Sequence, residues 1–537
     1  MRHPHRRTAL KTAAAALLSA ALLLTGCAST PSPAAGGSTT PGGQLDNLTV
    51  LLGSEISTLS VNQQGGTANY KIAALIQEGL VGIDRTGKLV PALAESWTNT
   101  DYSTWVYKIR QGVTFSDGTP LTTDDIIFSI ELARDPKKSP GLVSYWPSYL
   151  TSVKKTGDWE ITVKLDGSHP GFGPELSNAG GLTVTSQAFY NKVKNYGSST
   201  DLILGTGPYK VTEFDPSSHV SLERVDSYWG GASGPKTVRI NFVTDDATRQ
   251  LAFQQGQADV SLTVPLLQAD QWTAQGGTVQ YYSDRSYQGL TFDPNIAPFN
   301  DPHVRKAFAH AIDTSGIVAG ILKGHGSAAT GIDSPQQLSV LVGLDAAKAG
   351  VASLPAADYS LDKAKAELAA SSVPGGFSTT LTYPKSDSSM GKASLAIAES
   401  LAKIGVTVNV KEISIDQWLS EVGNGKQGVA WMSYIPTTPT PNEISSWLLN
   451  AGGAGTNPAG WKDAAVAAKE ASVSTIADKQ KQFDTILSAT SDALNQGIYA
   501  PVYWGEAALA VRPGITASEF GSFTLGTNWA AAFTKAS

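Results

Sequence analysis

Between Leu89 and Ser129 the chain reads LVPALAESWTNTDYSTWVYKIRQGVTFSDGTPLTTDDIIFS, and its hydrophobic period changes along the way. A short helical turn is expected over Pro91–Trp97. Trp105, Tyr107 and Ile109 then alternate with Val106, Lys108 and Arg110, the period of a half-buried strand. Ser116-Asp117-Gly118 supplies a tight turn, with glycine available for positive φ. Thr122 stands three residues before Asp125, a capping-box start for a helix carrying Ile126, Ile127 and Phe128. Strand, turn and capped helix in immediate succession require a fold that mixes sheet and helix, and nothing in the stretch pairs a nucleophile with a base.

At 537 residues the chain exceeds one small core, and two to four domains are expected. The formal charge is −6, and removing the basic first 27 residues leaves 36 bases against 46 acids. Such a surface does not attract phosphate backbones, so a nucleic-acid partner is disfavoured. Arg2, Arg6, Arg7 and Lys11 precede an apolar run, Ala13–Leu24, shorter than the ~20 residues of a membrane span, which is the pattern of an export signal. His5–Lys11 also carries a twin-arginine pair, with general secretion as the alternative. Leu24-Thr25-Gly26-Cys27 resembles a bacterial lipobox, which implies cleavage before Cys27 and lipidation of its thiol. Cys27 is the only cysteine, so the remaining body has no disulfide, no thiol nucleophile and no cysteine metal site. Residues 28–44 are Ser/Thr/Pro/Gly/Ala-rich and uncharged, a tether spanning about 20–25 Å as a coil. A lipid-anchored, extracytoplasmic, monomeric body is expected.

Further along, Leu48–Leu52 reads as a strand and Asn69–Leu80 as a helix; Ser152–Lys155 and Glu160–Leu165 read as a hairpin. Asp301 is placed to cap a helix beginning at Pro302, with Val304, Phe308, Ala311 and Ile312 on one face. Helices are expected at Leu361–Ala370 and Lys392–Ile404, the latter ended by Gly405 and followed by a strand at Val406–Val410. Tyr499–Val511 reads as an apolar strand.

The Leu89–Ser129 stretch resembles the pattern P-x-L-A-x-S-W, an aromatic strand ending in [LI]-R, then F-S-D-G-x-P-[LF]-T-A-x-D-[VI]. This is the most recognisable segment of the peptide/nickel family of extracytoplasmic solute-binding proteins, the receptors of ABC importers; Thr123 stands where alanine is usual. Gly205-Thr206-Gly207-Pro208-Tyr209, Asp246–Arg249 with Gly256–Val260, and Pro298–Phe308 through Asp313 match other motifs of that family. The resemblance implies a two-lobed α/β periplasmic-binding-protein-like fold (type II) with an additional inserted domain and a hinge between the lobes. Its expected bounds are 1–26 signal peptide, 27–44 tether, 45–88 with 205–285 and 511–537 as lobe I, 89–204 as the inserted domain, and 286–510 as lobe II. It also implies a receptor that closes on a solute, a peptide by family default, and delivers it unchanged to a permease, without catalysis or cofactor.

Fragments of catalytic motifs fail on context. Gly82–Leu89 imitates a phosphate-binding loop, but Leu89 replaces the hydroxyl residue that holds magnesium. Ser389-Met390-Gly391-Lys392 and Lys155-Thr156-Gly157 occur in the reverse of the order that penicillin-recognising enzymes use. A secreted serine hydrolase of that kind remains the alternative from another class, and a ligand-presenting sensor shares every feature of the receptor. His303 and His310 lie two turns apart on one expected helix, about 10 Å, too far for one metal without other ligands; no metal site is expected. His325, between two glycines, is kept as an outside ligand contact.

In peptide-binding members the contact segment reads G-W-x-x-D-Y-x-[DE]-P, its aspartate taking the peptide ammonium. Here Trp431 keeps register, while Tyr434 replaces that aspartate, Ile435 the tyrosine and Thr437 the second acid. Either Glu55 or Glu443 substitutes for the carboxylate, or the ligand lacks a free ammonium and stacks on Trp431 and Tyr434. A sugar, an aromatic compound, a chelated metal or a capped peptide would then be the solute. The ligand-binding candidates are Asn62, Gln63, Tyr145, Trp146, Trp431, Met432, Ser433 and Tyr434, with Cys27 as the lipidation site.

Overall fold

Alternating strands broken by polar turns leave backbone amides to be satisfied by sheet pairing, and the largest sheet among the described residues is nine-stranded and mixed. The computed structural model describes residues 43–142, 146–424, 427–450, 457–518 and 520–536. Cys27, the tether up to residue 42 and Tyr145 lie outside the described residues. The sheet runs in the order Val429–Tyr434, Thr278–Phe292, Tyr499–Val511, Val260–Ser261, Asn47–Leu52, Thr237–Phe242, His219–Arg224, Tyr209–Asp215, and Gly326–Ala328 adds to Tyr499–Val511. Asn47–Leu52 is parallel to its two neighbours; the other pairs are antiparallel.

Two strands of this sheet serve two cores. Leu509, Val511 and Tyr282 pack with Leu48, Val50, Val238 and Ile240. At the other end of the same strands, Leu290, Phe292, Tyr499 and Val502 join a larger core with Val304, Phe308, Ile397 and Trp431. Between the two cores the register shifts from Ser283 to Tyr287. Arg285 there takes a left-handed φ of 58°, held by guanidinium hydrogen bonds to the carbonyls of Thr438 (3.0 Å) and Pro436 (3.2 Å). Gly505 opposes the bulge so closely that a Cβ would lie 2.5 Å from Ser286 Oγ. Extra residues on one strand bend a ribbon locally, so the chain changes direction where it leaves one core for the other.

A third core gathers residues from Leu80 to Leu204. Its antiparallel sheet runs Ala94–Asn99, Thr104–Ile109, Glu160–Leu165, Leu150–Gly157. Trp105, Tyr107 and Ile109 are buried along one face, as their alternation predicts. Thr122 accepts from the Asp125 amide and the Asp125 carboxylate answers at the Thr122 amide, starting the helix Thr123–Arg134; such caps are worth about 1 kcal/mol. Pro91–Trp97 is not a helical turn. Leu89–Pro91 pairs with Val81–Ile83, and Ala94–Asn99 pairs with Thr104–Ile109, Trp97 opposite Tyr107. Pairing with neighbouring strands satisfies backbone groups along that segment that one isolated turn of helix would leave open. The helix expected over Asn69–Leu80 runs instead from Thr67 to Ile76. Gln77 turns extended, and Leu80 donates to the Leu176 carbonyl at 2.8 Å.

In the large core, Ser378–Pro384 and Thr407–Ile413 pair in parallel around the helix Ser388–Ala402, whose Ile397 and Leu401 are buried. Asp301 caps the helix Pro302–His310 by accepting from the His303 amide. Arg249, 1% exposed, pairs with Asp246 and donates to the Val243 and Thr263 carbonyls, a buried charge fully used within the fold. Among the described residues no helix is long and apolar enough to cross a membrane.

Candidate functional site

The three cores leave a cleft of about 1120 Å³ between them. One wall is the backbone after the strand Asn47–Leu52 (Gly53, Ser54, Glu55) with the start of the helix Thr67–Ile76. A second wall is Tyr102, Trp146, Tyr149 and Glu175 from the stretch that carries the third core. The third follows the strand Val429–Tyr434 through Ser433–Thr438 and continues with Glu443, Trp447 and Glu470.

The third wall is built around one carboxylate. Glu443 accepts from the backbone N–H of Thr437 and of Thr438, both at 2.9 Å, and from the Thr438 hydroxyl; the Tyr434 hydroxyl approaches at 3.4 Å. These bonds fix the segment 434–438 and present the Tyr434 ring beside Trp447, centroids 5.5 Å apart and tilted by 52°. Glu443 is therefore occupied by its own chain and is not the free substitute carboxylate that the sequence leaves open. Glu55 lines the cleft and is exposed.

The walls also touch one another. Thr437 Oγ1 donates to the Ala179 carbonyl at 2.7 Å. The His169 ring stacks on Tyr149 (3.9 Å, 9°), with Nε2 2.7 Å from Asp166 and Nδ1 3.2 Å from Ser474 Oγ. Gln64 Nε2 donates to Asp416 Oδ1 at 3.2 Å across the cleft.

Electrostatically the cleft favours proton-bound acids. Burial, then the charge of Glu443, pushes the Glu175 carboxyl up to about 8. Burial pushes Glu470 up to about 7 against hydrogen bonds from Asn442 and Ser445. Asp387, which caps the helix Ser388–Ala402, is also raised by burial. Burial lowers Lys71, opposed by the charge of Asp284. Among the described residues no three His, Cys, Asp or Glu side chains converge in a metal-binding group.

Of the sequence candidates, Trp146, Ser433 and Tyr434 line this cleft. Four do not. Trp431 is fully buried in the large core with its indole N–H on Ser394 Oγ, and Met432 is buried in the same core. Their strand is covered on both faces, so adjacency in sequence to Tyr434 does not bring them to the opening. Asn62 is buried between Ser139 (2.9 Å) and Thr183 (3.4 Å), and Gln63 donates to the Lys138 carbonyl at 2.7 Å; both bind the loop to the third core and neither lines the cleft. Tyr145 lies outside the described residues. His325 stacks on Tyr281 and pairs with Glu506, away from the cleft. Glu175, Glu470, Trp447 and Trp418 line the cleft and were not singled out as contacts. The indole pair had a signal in the local richness of tryptophan; the two acids had none.

The catalytic look-alikes resolve into structure. Asp84 Oδ1 accepts from the amides of Thr86 and Lys88, making Gly82–Leu89 a hairpin turn. Lys155-Thr156-Gly157 ends a strand of the third core, whereas Ser389 and Lys392 lie on the helix Ser388–Ala402.

A profile of bacterial extracellular solute-binding proteins, family 5 (middle region), matches residues 88–456. The glutathione-binding protein GsiB of Escherichia coli (strain K12) is 26% identical over 414 residues, covering 75% of this chain and 77% of that protein. The fold is similar to that of the periplasmic binding protein DppA from Helicobacter pylori in complex with peptide STSA (TM-score 0.82, 20% identity, 92% of this chain and 98% of that one). It is also similar to AgaA from A.tumefacien R10 in complex with agropinic acid (TM-score 0.80, 22% identity, 91% and 99%). The architecture is thus the α/β type II periplasmic-binding-protein fold. With more than half its length matched by the profile, the chain belongs to family 5 of the bacterial extracellular solute-binding proteins, the extracytoplasmic substrate receptors of ABC importers.

Proposed function

We propose that this chain is a monomeric, lipid-anchored receptor that captures one small solute in the 1120 Å³ cleft and delivers it unchanged to an importer permease. The observation that carries the reading is the cleft itself, walled by three separate cores. We assign the cores to lobe I (45–88, 205–285, 511–537), an inserted domain (89–204) and lobe II (286–510). The bulged strands Thr278–Phe292 and Tyr499–Val511 act as the hinge. Closure buries the solute, and a closed state favoured only by ligand gives the permease something to discriminate. The anchor is the thiol of Cys27 behind its lipobox-like segment, with residues 28–44 as spacer. Trp146, Ser433 and Tyr434 are assigned to solute contact.

The family default is a peptide, supported by GsiB, which binds glutathione, and by DppA, seen with a peptide. A non-peptide solute is favoured by a different observation: Tyr434 stands at the position of the ammonium-binding aspartate, and Glu443 is taken up by its own loop. AgaA, seen with agropinic acid, supports this second reading. Thermal denaturation of the Cys27→Ser chain against di- to pentapeptides, sugars and nickel–histidine separates the classes, since a bound solute stabilises by RT ln(1 + [L]/Kd). The reading expects stabilisation by one class and recovery of the solute with unchanged mass. Chemical turnover of the captured compound, or no stabilisation by any class, overturns it.

A further inference from the structure

The cleft holds more carboxylate than its own chain uses. Glu55, Asp166, Glu175, Asp387, Glu443 and Glu470 line it, against the lysines Lys71 and Lys479. Asp166 is committed to His169, Asp387 to the Met390 amide, and Glu443 to the 437–438 backbone; Glu55 is exposed. Glu175 and Glu470 remain. Glu175 receives no side-chain hydrogen bond and forms no ion pair among the described residues, yet it is enclosed enough for burial to raise its pKa. Glu470 is 3% exposed; its Oε1 accepts from Asn442 and Ser445, while Oε2 meets no donor among the described residues.

Both groups adjoin one segment, 434–445. Glu175 feels the charge of Glu443, Glu443 bonds the loop that carries Tyr434, and Thr437 ties that loop to Ala179, just after Glu175. Glu470 reaches the same loop through Asn442 and Ser445, on either side of Glu443. Of the nearby cations two are spent on carbonyls, and the third, Lys71, forms no ion pair among the described residues and has its charge disfavoured by burial. Arg285 donates to the Thr438 and Pro436 carbonyls and lies over the Phe523 ring, Lys479 donates to the Val340 carbonyl, and Lys71 faces Asp284. The carboxyl of Asp333, behind Glu470, adds negative charge when ionised and no counter-charge.

An acid that keeps its proton in the empty cleft releases it to solvent when a cation arrives, and the carboxylate so formed holds the cation by charge-assisted hydrogen bonds. A positive group also gains from the faces of Tyr434 and Trp447. We propose that the solute carries an organic cation, a primary ammonium or a guanidinium, received by Glu175 with Glu470 deepening the negative potential and the Tyr434–Trp447 pair beside it. This inference rests on the receptor reading above and names the chemistry of its solute.

The test uses matched probes: trialanine (a peptide ammonium), Nα-acetyl-trialanine amide (its neutral twin), Nα-acetyl-lysine amide (a side-chain ammonium), putrescine and agmatine, with mannitol as an uncharged sugar alcohol. At least one cationic probe is expected to raise Tm while the neutral twin and mannitol do not. Glu175→Gln and Glu470→Gln should each weaken that probe by about ten-fold, and Glu55→Gln at the rim by less than about two-fold. Unliganded Tm values verify that the variants fold. Stabilisation by the neutral probes alone, or unchanged affinity in both Glu175→Gln and Glu470→Gln, overturns the inference and leaves the receptor standing. No stabilisation by any probe, peptide, sugar or nickel–histidine overturns both.

Discussion

Trp431 donates its indole N–H to Ser394 Oγ, which in turn donates to the Met390 carbonyl, and none of its ring is left for a solute. Its register in a family motif identified the segment, but a side chain's neighbours, not its position in a motif, decide what it touches. Trp431→Phe removes one buried hydrogen bond and opens a small void, so urea denaturation should show a loss of about 2 kcal/mol. Affinity for whichever solute stabilises the parent chain should stay within about two-fold. Tyr434, three residues on, is held at the opening by Glu443 and Trp447. The same strand thus places one aromatic in the core and another at the cleft.

Elements are fixed by local chemistry and then tied together by a few buried polar groups. Glu78, just beyond the helix Thr67–Ile76, accepts from the Thr206 hydroxyl (2.8 Å), Tyr228 (2.7 Å) and Trp229 (2.9 Å), joining the Gly205–Tyr209 turn to the segment at 228–229. Burial raises its pKa to about 7, above the 4.5 of the unfolded chain, so the folded state holds this proton more tightly. Its stabilising contribution is present in full below 4.5 and is lost as the pH rises through about 7. Between about pH 5 and pH 8 the Tm of the parent chain should fall, and Glu78→Gln should flatten that fall. The capping box at Thr122, the cap at Asp301, and the alternation of Trp105, Tyr107 and Ile109 are all legible in sequence, because each depends on residues within one or two turns, whereas the helix expected from Lys392 starts at Ser388 behind its Asp387 cap. The segment Ala94–Asn99 was not, because its amides are paired by a strand that follows it and its own pattern fits either period.

At the scale of the molecule, the cleft joins segments far apart in the chain, and few direct bonds cross it. Gln64 to Asp416 is one such bond, between exposed side chains at 3.2 Å. Asp416→Ala removes this contact between the walls. Titration of a stabilising solute should show affinity lower by about two- to five-fold, with the Tm of the empty protein unchanged. The chain by itself determined the α/β character, the caps and turns, and the family, since these are written in spacings of a few residues. Only the tertiary structure decided which side chains face the solute. The strand Val429–Tyr434 is covered on both faces, so no alternation marks an open side. Glu175 and Glu470, nearly three hundred residues apart, become neighbours of one loop through Thr437, Asn442 and Ser445. No local pattern encodes that meeting, because it arises from the packing of separate cores around two shared strands.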